Sequence, residues 1–157
     1  SEPGSGTTFR IYLPLAGAGT RPAVPVQALS TASRGTETVL VAEDDQAMRE
    51  LFSSLLTEHG YTVHLAADGA AAVAAFRERS HDIDLVILDV IMPKMNGKEV
   101  YEEIRRIRPK MKVLFISGYT ADIIKQKGVM QEGQAFLPKP AAPAELLKTV
   151  RDVLDAR

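Results

Sequence analysis

Leu85-Val86-Ile87-Leu88-Asp89 runs without a break into Val90-Ile91-Met92-Pro93-Lys94-Met95-Asn96-Gly97. Four apolar residues in a row read as a strand buried on both faces. A carboxylate that ends such a strand is costly to place unless something nearby needs its charge. Val39-Leu40-Val41-Ala42 repeats the arrangement and runs into Glu43-Asp44-Asp45. Two apolar strands that both finish in acid point to one shared site.

The segments between and beyond these strands alternate in period. Strands are expected over residues 39–42, 61–65, 85–88, 113–116 and 135–137, and helices over 46–59, 69–79, 98–107, 121–127 and 144–154. The first helix carries Met48, Leu51, Phe52, Leu55 and Leu56 at helical spacing, and Gly60 stands where a C-terminal glycine belongs. Val73 and Phe76 turn inward on the second, Pro109 stops the third, and Leu146, Leu147, Val150 and Leu154 share one face of the last. Alternating strands and helices, with the strands apolar on both faces, argue an α/β fold with a parallel sheet between helical layers. The expected architecture is flavodoxin-like, (βα)5, with strand order 2-1-3-4-5 and helices on both faces.

Bulk properties narrow the function by exclusion. The chain has 157 residues, enough for one domain and an appendage. A net charge of −1 with 25% charged residues gives no reason to expect nucleic acid or an anionic membrane as partner. The absence of cysteine excludes disulfides, thiolate metal sites and a cysteine nucleophile. No apolar stretch approaches the roughly 20 residues of a membrane helix, and no signal peptide is present, so a cytoplasmic location is the default expectation. The first residue is Ser and not Met, which suits a piece of a longer protein.

Residues 1–15 differ from the rest: Gly4-Ser5-Gly6-Thr7-Thr8 is a flexible run, and Phe9-Arg10-Ile11-Tyr12-Leu13-Pro14 alternates like a strand. Residues 16–35 are mostly small or polar and contain Pro22 and Pro25, so they read as a linker. The expected division is therefore 1–15, a linker over 16–35, and one domain over 36–157.

In open parallel sheets, ligands sit beyond the carboxyl ends of the strands, where strand order reverses. That rule brings Glu43 and Asp44 beside Asp89. Two carboxylates about 4 Å apart repel by roughly 4 kcal/mol at an effective dielectric of 20. Such a site wants a cation, and hard oxygen donors without His or Cys favour Mg²⁺ or Mn²⁺. Ser117 ends the fourth strand beside Gly118, and Lys139 follows the fifth within Phe136-Leu137-Pro138-Lys139-Pro140. A carboxylate nucleophile, a metal, a hydroxyl and a lysine make a phosphoryl-transfer site in which Asp89 attacks phosphorus. Asp45 reads as the N-cap of the following helix. His59, His64 and His81 are scattered and read as structural or surface positions.

Residues 36–157 resemble the receiver domain of bacterial two-component response regulators. The likeness rests on Val-Leu-Val-Ala-Glu43-Asp44-Asp45, Leu-Asp89-Val-Ile-Met-Pro-Lys-Met-Asn-Gly97, Ile-Ser117-Gly-Tyr and Leu-Pro-Lys139-Pro140. It implies that Asp89 is the phosphoacceptor, that Glu43, Asp44 and Asp89 hold the divalent cation, and that the backbone carbonyl of Ile91 adds a further ligand. It also implies a cis bond before Pro140 and a switch pair formed by Ser117 and Phe136. Glu43 departs from the commoner aspartate, and its longer arm could act through a bound water. Ile91 and Tyr119 flank the site with bulk that would hinder an attacking water.

The segment Gly4-Ser5-Gly6-Thr7-Thr8-Phe9-Arg10-Ile11-Tyr12-Leu13-Pro14 is similar to the last glycine box and final strand of a histidine-kinase ATP-binding domain. That order, with a receiver after a linker, resembles a hybrid sensor histidine kinase. The resemblance implies a kinase domain of the same polypeptide as phosphodonor, with two alternatives beyond it: a histidine phosphotransfer protein as next carrier, or a receiver that regulates or drains its own kinase. The kinase core itself is missing, so the fragment is expected to catalyse only its own Asp phosphorylation and dephosphorylation, without useful ATP binding. Residues 1–35 are expected to be poorly ordered. With no DNA-binding domain after Arg157, a transcription factor is not expected. Two other readings compete: a receiver-shaped interaction module that takes no phosphate, and a flavin or nucleotide binder on the same fold. Acids instead of glycines after the first strand speak against the latter.

Overall fold

The computed structural model describes residues 34–120 and 134–156, together with Arg10 and Tyr12. The expectations for the segment before residue 34, and for a helix over 121–127, lie outside the described residues. Within them the chain forms β1 (Thr38–Ala42), α1 (Gln46–Glu58), β2 (Thr62–Ala66), α2 (Gly69–Arg79), β3 (Leu85–Asp89), α3 (Gly97–Ile107), β4 (Lys112–Ser117), β5 (Ala135–Pro138) and α4 (Pro143–Asp155). All strand pairings are parallel and the order is β2-β1-β3-β4-β5, as the sequence predicts.

The sheet is covered on both faces because each central strand sends alternate apolar residues to opposite sides. Leu40, Val86, Leu88 and Phe115 pack with Val73 and Phe76 of α2 and Val100 and Ile104 of α3. Val39, Val41, Ile87, Leu114 and Ile116 pack with Phe52 and Leu56 of α1 and Leu146, Leu147 and Val150 of α4. Residues 39–42 and 85–88 are fully buried. At about 25 cal/mol per Å² of apolar surface removed from water, this two-sided burial supplies the main stabilisation.

Element ends follow local chemistry. Asp45 accepts the Met48 N–H (2.8 Å) as N-cap of α1, as expected. The helix closes in a Schellman arrangement: Gly60 at φ +94° donates to Thr57 O (3.0 Å), and Tyr61 donates to Leu56 O (3.1 Å). Tyr61 is thereby used in ending the helix, so β2 begins one residue later than the sequence pattern suggests. Asn96 and Glu99 form a reciprocal capping box that starts α3.

Candidate functional site

The parallel ladder brings the last residues of β1, β3, β4 and β5 to one edge of the sheet. Glu43 follows Ala42 directly, with its N–H bonded to Ala66 O (3.1 Å) and its side chain 1% exposed. Asp44, the next residue, is exposed. Asp89 ends β3 and is 7% exposed. Glu43, Asp44 and Asp89 each offer a carboxylate oxygen, and these three atoms lie within 4.8 Å of one another. The acids predicted to meet do meet.

Lys139 answers part of this charge. Its Nζ donates to Asp89 Oδ2 (2.7 Å) and to Glu43 Oε2. Its backbone N–H is fixed by Ser117 O (2.7 Å), and the Lys139–Pro140 bond is cis, as the resemblance implies. Asp89 Oδ1 accepts the Ile91 N–H at 3.1 Å, and Glu43 Oε1 accepts the Asp45 N–H at 3.4 Å. Burial pushes the Glu43 carboxyl above the usual carboxylate range; the Asp89 charge adds to this, while Lys139 pulls against it. Burial works against the Lys139 ammonium too, but the Asp89 and Glu43 carboxylates outweigh it and raise the lysine pKa. The lysine is thus held charged between two acids.

Ser117 is buried at the end of β4, and its Oγ accepts the Tyr119 N–H (3.2 Å). Phe136 lies on β5 opposite Phe115, half-buried against the layer that contains Tyr101. Ile91 and Tyr119 are about half exposed, at 53% and 47%.

The loop after Asp89 is tightly held. Gly97 donates to Val90 O (3.0 Å), and a Cβ on Gly97 would stand 2.5 Å from Asp89 O, so only glycine allows this close approach. Lys94 takes φ +67°, a left-handed backbone uncommon for a residue with a side chain, while Met95 donates to Pro93 O across it (2.8 Å). Lys94 Nζ pairs with Asp68 Oδ2 at 2.6 Å and holds the Asp68 carboxyl below the usual carboxylate range.

Sequence reasoning missed this Lys94–Asp68 link, and it missed Arg49. From α1, Arg49 Nη1 reaches back to Glu43 O (2.7 Å) and Asp44 O (2.8 Å). Neither contact has a sequence signature, since main-chain acceptors are the same in every residue.

The donor set fits a hard divalent cation: three carboxylates converge with no nitrogen or sulfur ligand among them. No helix among the described residues is long and apolar enough to cross a membrane.

Comparison with known proteins gives the same picture. Residues 39–151 match the sequence family described as the response regulator receiver domain. The sensor kinase CckA of Brucella abortus (strain 2308) is 37% identical over 162 residues, which cover 99% of this chain and 17% of that relative. The chain therefore spans about a sixth of that relative's length. The crystal structure of the receiver domain from the hybrid histidine kinase CckA is 36% identical, with a TM-score of 0.65 over 75% of this chain and 99% of that one. The Vibrio cholerae chemotaxis protein CheY4 is 32% identical, with a TM-score of 0.68 over 76% of this chain and 99% of that one.

Proposed function

Since the chain belongs to the response regulator receiver domain family, we propose that it is the phosphoacceptor module of a two-component phosphorelay, with Asp89 as the residue modified. In this reading a carboxylate oxygen of Asp89 attacks the phosphorus of a phosphohistidine. The new O–P bond forms as the N–P bond breaks, and the electron pair leaves with the imidazole nitrogen. Glu43, Asp44, Asp89 and the Ile91 carbonyl would hold Mg²⁺ or Mn²⁺. When bound, that ion supplies positive charge to the phosphoryl oxygens. Lys139 adds a second positive charge, and Ser117 offers its hydroxyl to one of the same oxygens. Ser117 and Phe136 then act as the switch pair. The observation that carries this reading is the convergence of three carboxylates with Lys139 already bonded to Asp89.

The donor in this proposal is a histidine kinase domain, and the parent protein is a hybrid sensor histidine kinase. A likeness to a sensor kinase that runs over 99% of the chain, well outside residues 39–151, supports that reading. It also supports residues 1–15 as the end of a kinase ATP-binding domain and 16–35 as a linker before a receiver over 36–157. A histidine phosphotransfer protein is the proposed next carrier, in the cytoplasm.

The test is to incubate the protein with Mg²⁺ and acetyl phosphate and to measure its intact mass. The expected outcome is a gain of one phosphoryl group that Asp89→Asn abolishes. No gain with any small phosphodonor would sink the reading and favour an interaction module.

A further inference from the structure

The segment between β1 and α1 poses a problem that its side chains do not solve. The β1 ladder ends at Ala42, and the first helical bond of α1 runs from the Arg49 N–H to Asp45 O (3.0 Å). The carbonyls of Glu43 and Asp44 fall in the gap, past the ladder and before the helix. Each carbonyl carries partial negative charge and needs a donor from elsewhere. Arg49 meets both carbonyls with one terminal nitrogen, at 2.7 and 2.8 Å, from a half-buried position on the first turns of α1.

We propose that Arg49 is a positioning residue for the acid site: by gripping the Glu43 and Asp44 carbonyls, it fixes the path from which those two side chains project toward Asp89. The inference rests on the reading of Glu43, Asp44 and Asp89 as a divalent-cation site. Arg49 touches neither the cation nor the phosphoryl group in this account; it acts through the main chain that bears the ligands, as partners behind metal ligands commonly do.

The sign of the effect separates this from a simple charge effect. A guanidinium near a cation site repels the cation, so a charge-only account predicts that Arg49→Met tightens Mg²⁺ binding and that Arg49→Lys changes nothing. A positioning role predicts the opposite. Both variants loosen the site, because lysine keeps the charge but its shorter arm cannot span two carbonyls in the same way.

The experiment is a calorimetric titration of wild type, Arg49→Met and Arg49→Lys with MgCl₂, with the metal-free Tm of each variant recorded as a check on folding. Arg49→Met is expected to raise the Mg²⁺ Kd about tenfold, and Arg49→Lys by less. In the acetyl phosphate reaction the Mg²⁺ concentration at half-maximal rate should rise by the same factor, while the rate at saturating Mg²⁺ stays near that of wild type. Unchanged or tighter Mg²⁺ binding in Arg49→Met, with its Tm intact, overturns the proposal and leaves the phosphoacceptor reading standing. Failure of wild type to bind Mg²⁺ at all overturns the cation reading, and this inference falls with it. Should Arg49→Met prove unstable, Arg49→Lys alone decides: an unchanged Kd refutes positioning.

Discussion

Asp84 and Asp89 bracket the same four apolar residues of β3, and the two ends of that strand use their aspartates in opposite ways. At the amino end, Asp84 Oδ2 accepts the Thr38 N–H (2.9 Å), while its own N–H donates to Thr38 O (2.8 Å). The charged side chains around it are likewise hydrogen-bonded to fixed partners. Arg108 donates to Ser80 O and Ile83 O, Lys112 to Leu154 O, and Arg151 pairs with Glu37 and Asp155. At the carboxyl end three acids converge, and one lysine bonds two of them, Glu43 and Asp89. Charged side chains that tie chain segments together are each hydrogen-bonded where they stand. Charge left in excess in a buried setting is the mark of a site that expects a ligand.

This contrast can be broken by experiment, most strongly at the acid end. Mg²⁺ at about 100 times its Kd should add about 2.7 kcal/mol to the stability of wild type. That corresponds to a rise of roughly 10 °C in Tm for a domain of this size. Thermal unfolding with and without Mg²⁺ reads the effect, and Asp44→Asn should remove most of it. At the other end, Asp84→Ala orphans the Thr38 N–H and should cost about 1–2 kcal/mol in urea unfolding. Its Mg²⁺ response should match that of wild type, and Asp84→Asn should recover much of the loss; a changed Mg²⁺ response would erase the distinction between the two ends.

Smaller effects sharpen the picture. Ile91→Ala opens the approach to Asp89 and should speed loss of the phosphoryl group about threefold, equal to about 0.6 kcal/mol in barrier. The decay of phosphorylated protein after donor removal measures it, and slower decay would count against a shielding role. Glu37 gives the smallest effect. The hydrogen bond from Arg151 holds its carboxyl below the ordinary value of 4.5. A depressed carboxylate contributes stability that is complete above about pH 4.5 and is lost as pH falls through the lower folded-state value. The pair is partly exposed, so its contribution is about 0.5 kcal/mol. Urea midpoints between pH 6 and pH 3 should fall less steeply in Glu37→Gln than in wild type.

Much of this was legible in the sequence, for a definite reason. Leu85 to Leu88 and Val39 to Ala42 are apolar at every position, and runs this short that end in acid suit strands covered on both faces. The two-sided sheet then dictates where Glu43, Asp44 and Asp89 must meet. Gly60 and Asp45 marked the ends of α1 because caps have strict chemical requirements. What stayed hidden depends on three-dimensional reach. That one Lys139 ammonium bonds both Glu43 and Asp89 follows from the depth at which β5 delivers it. The grip of Arg49 on two carbonyls involves acceptors that every residue possesses. The left-handed turn at Lys94 has no glycine to announce it.

The entry of the chain into the domain carries one more consequence. Residues 34–37 join at the amino end of β1, where Gly35 donates to His59 O (3.1 Å). The five residues of β1 then carry the chain about 16 Å before it reaches Glu43. Residues 34–37 and the acid cluster therefore lie at opposite ends of the same strand. Among the described residues, the full length of β1 separates the point where the chain enters the sheet from the carboxylates that converge beyond it.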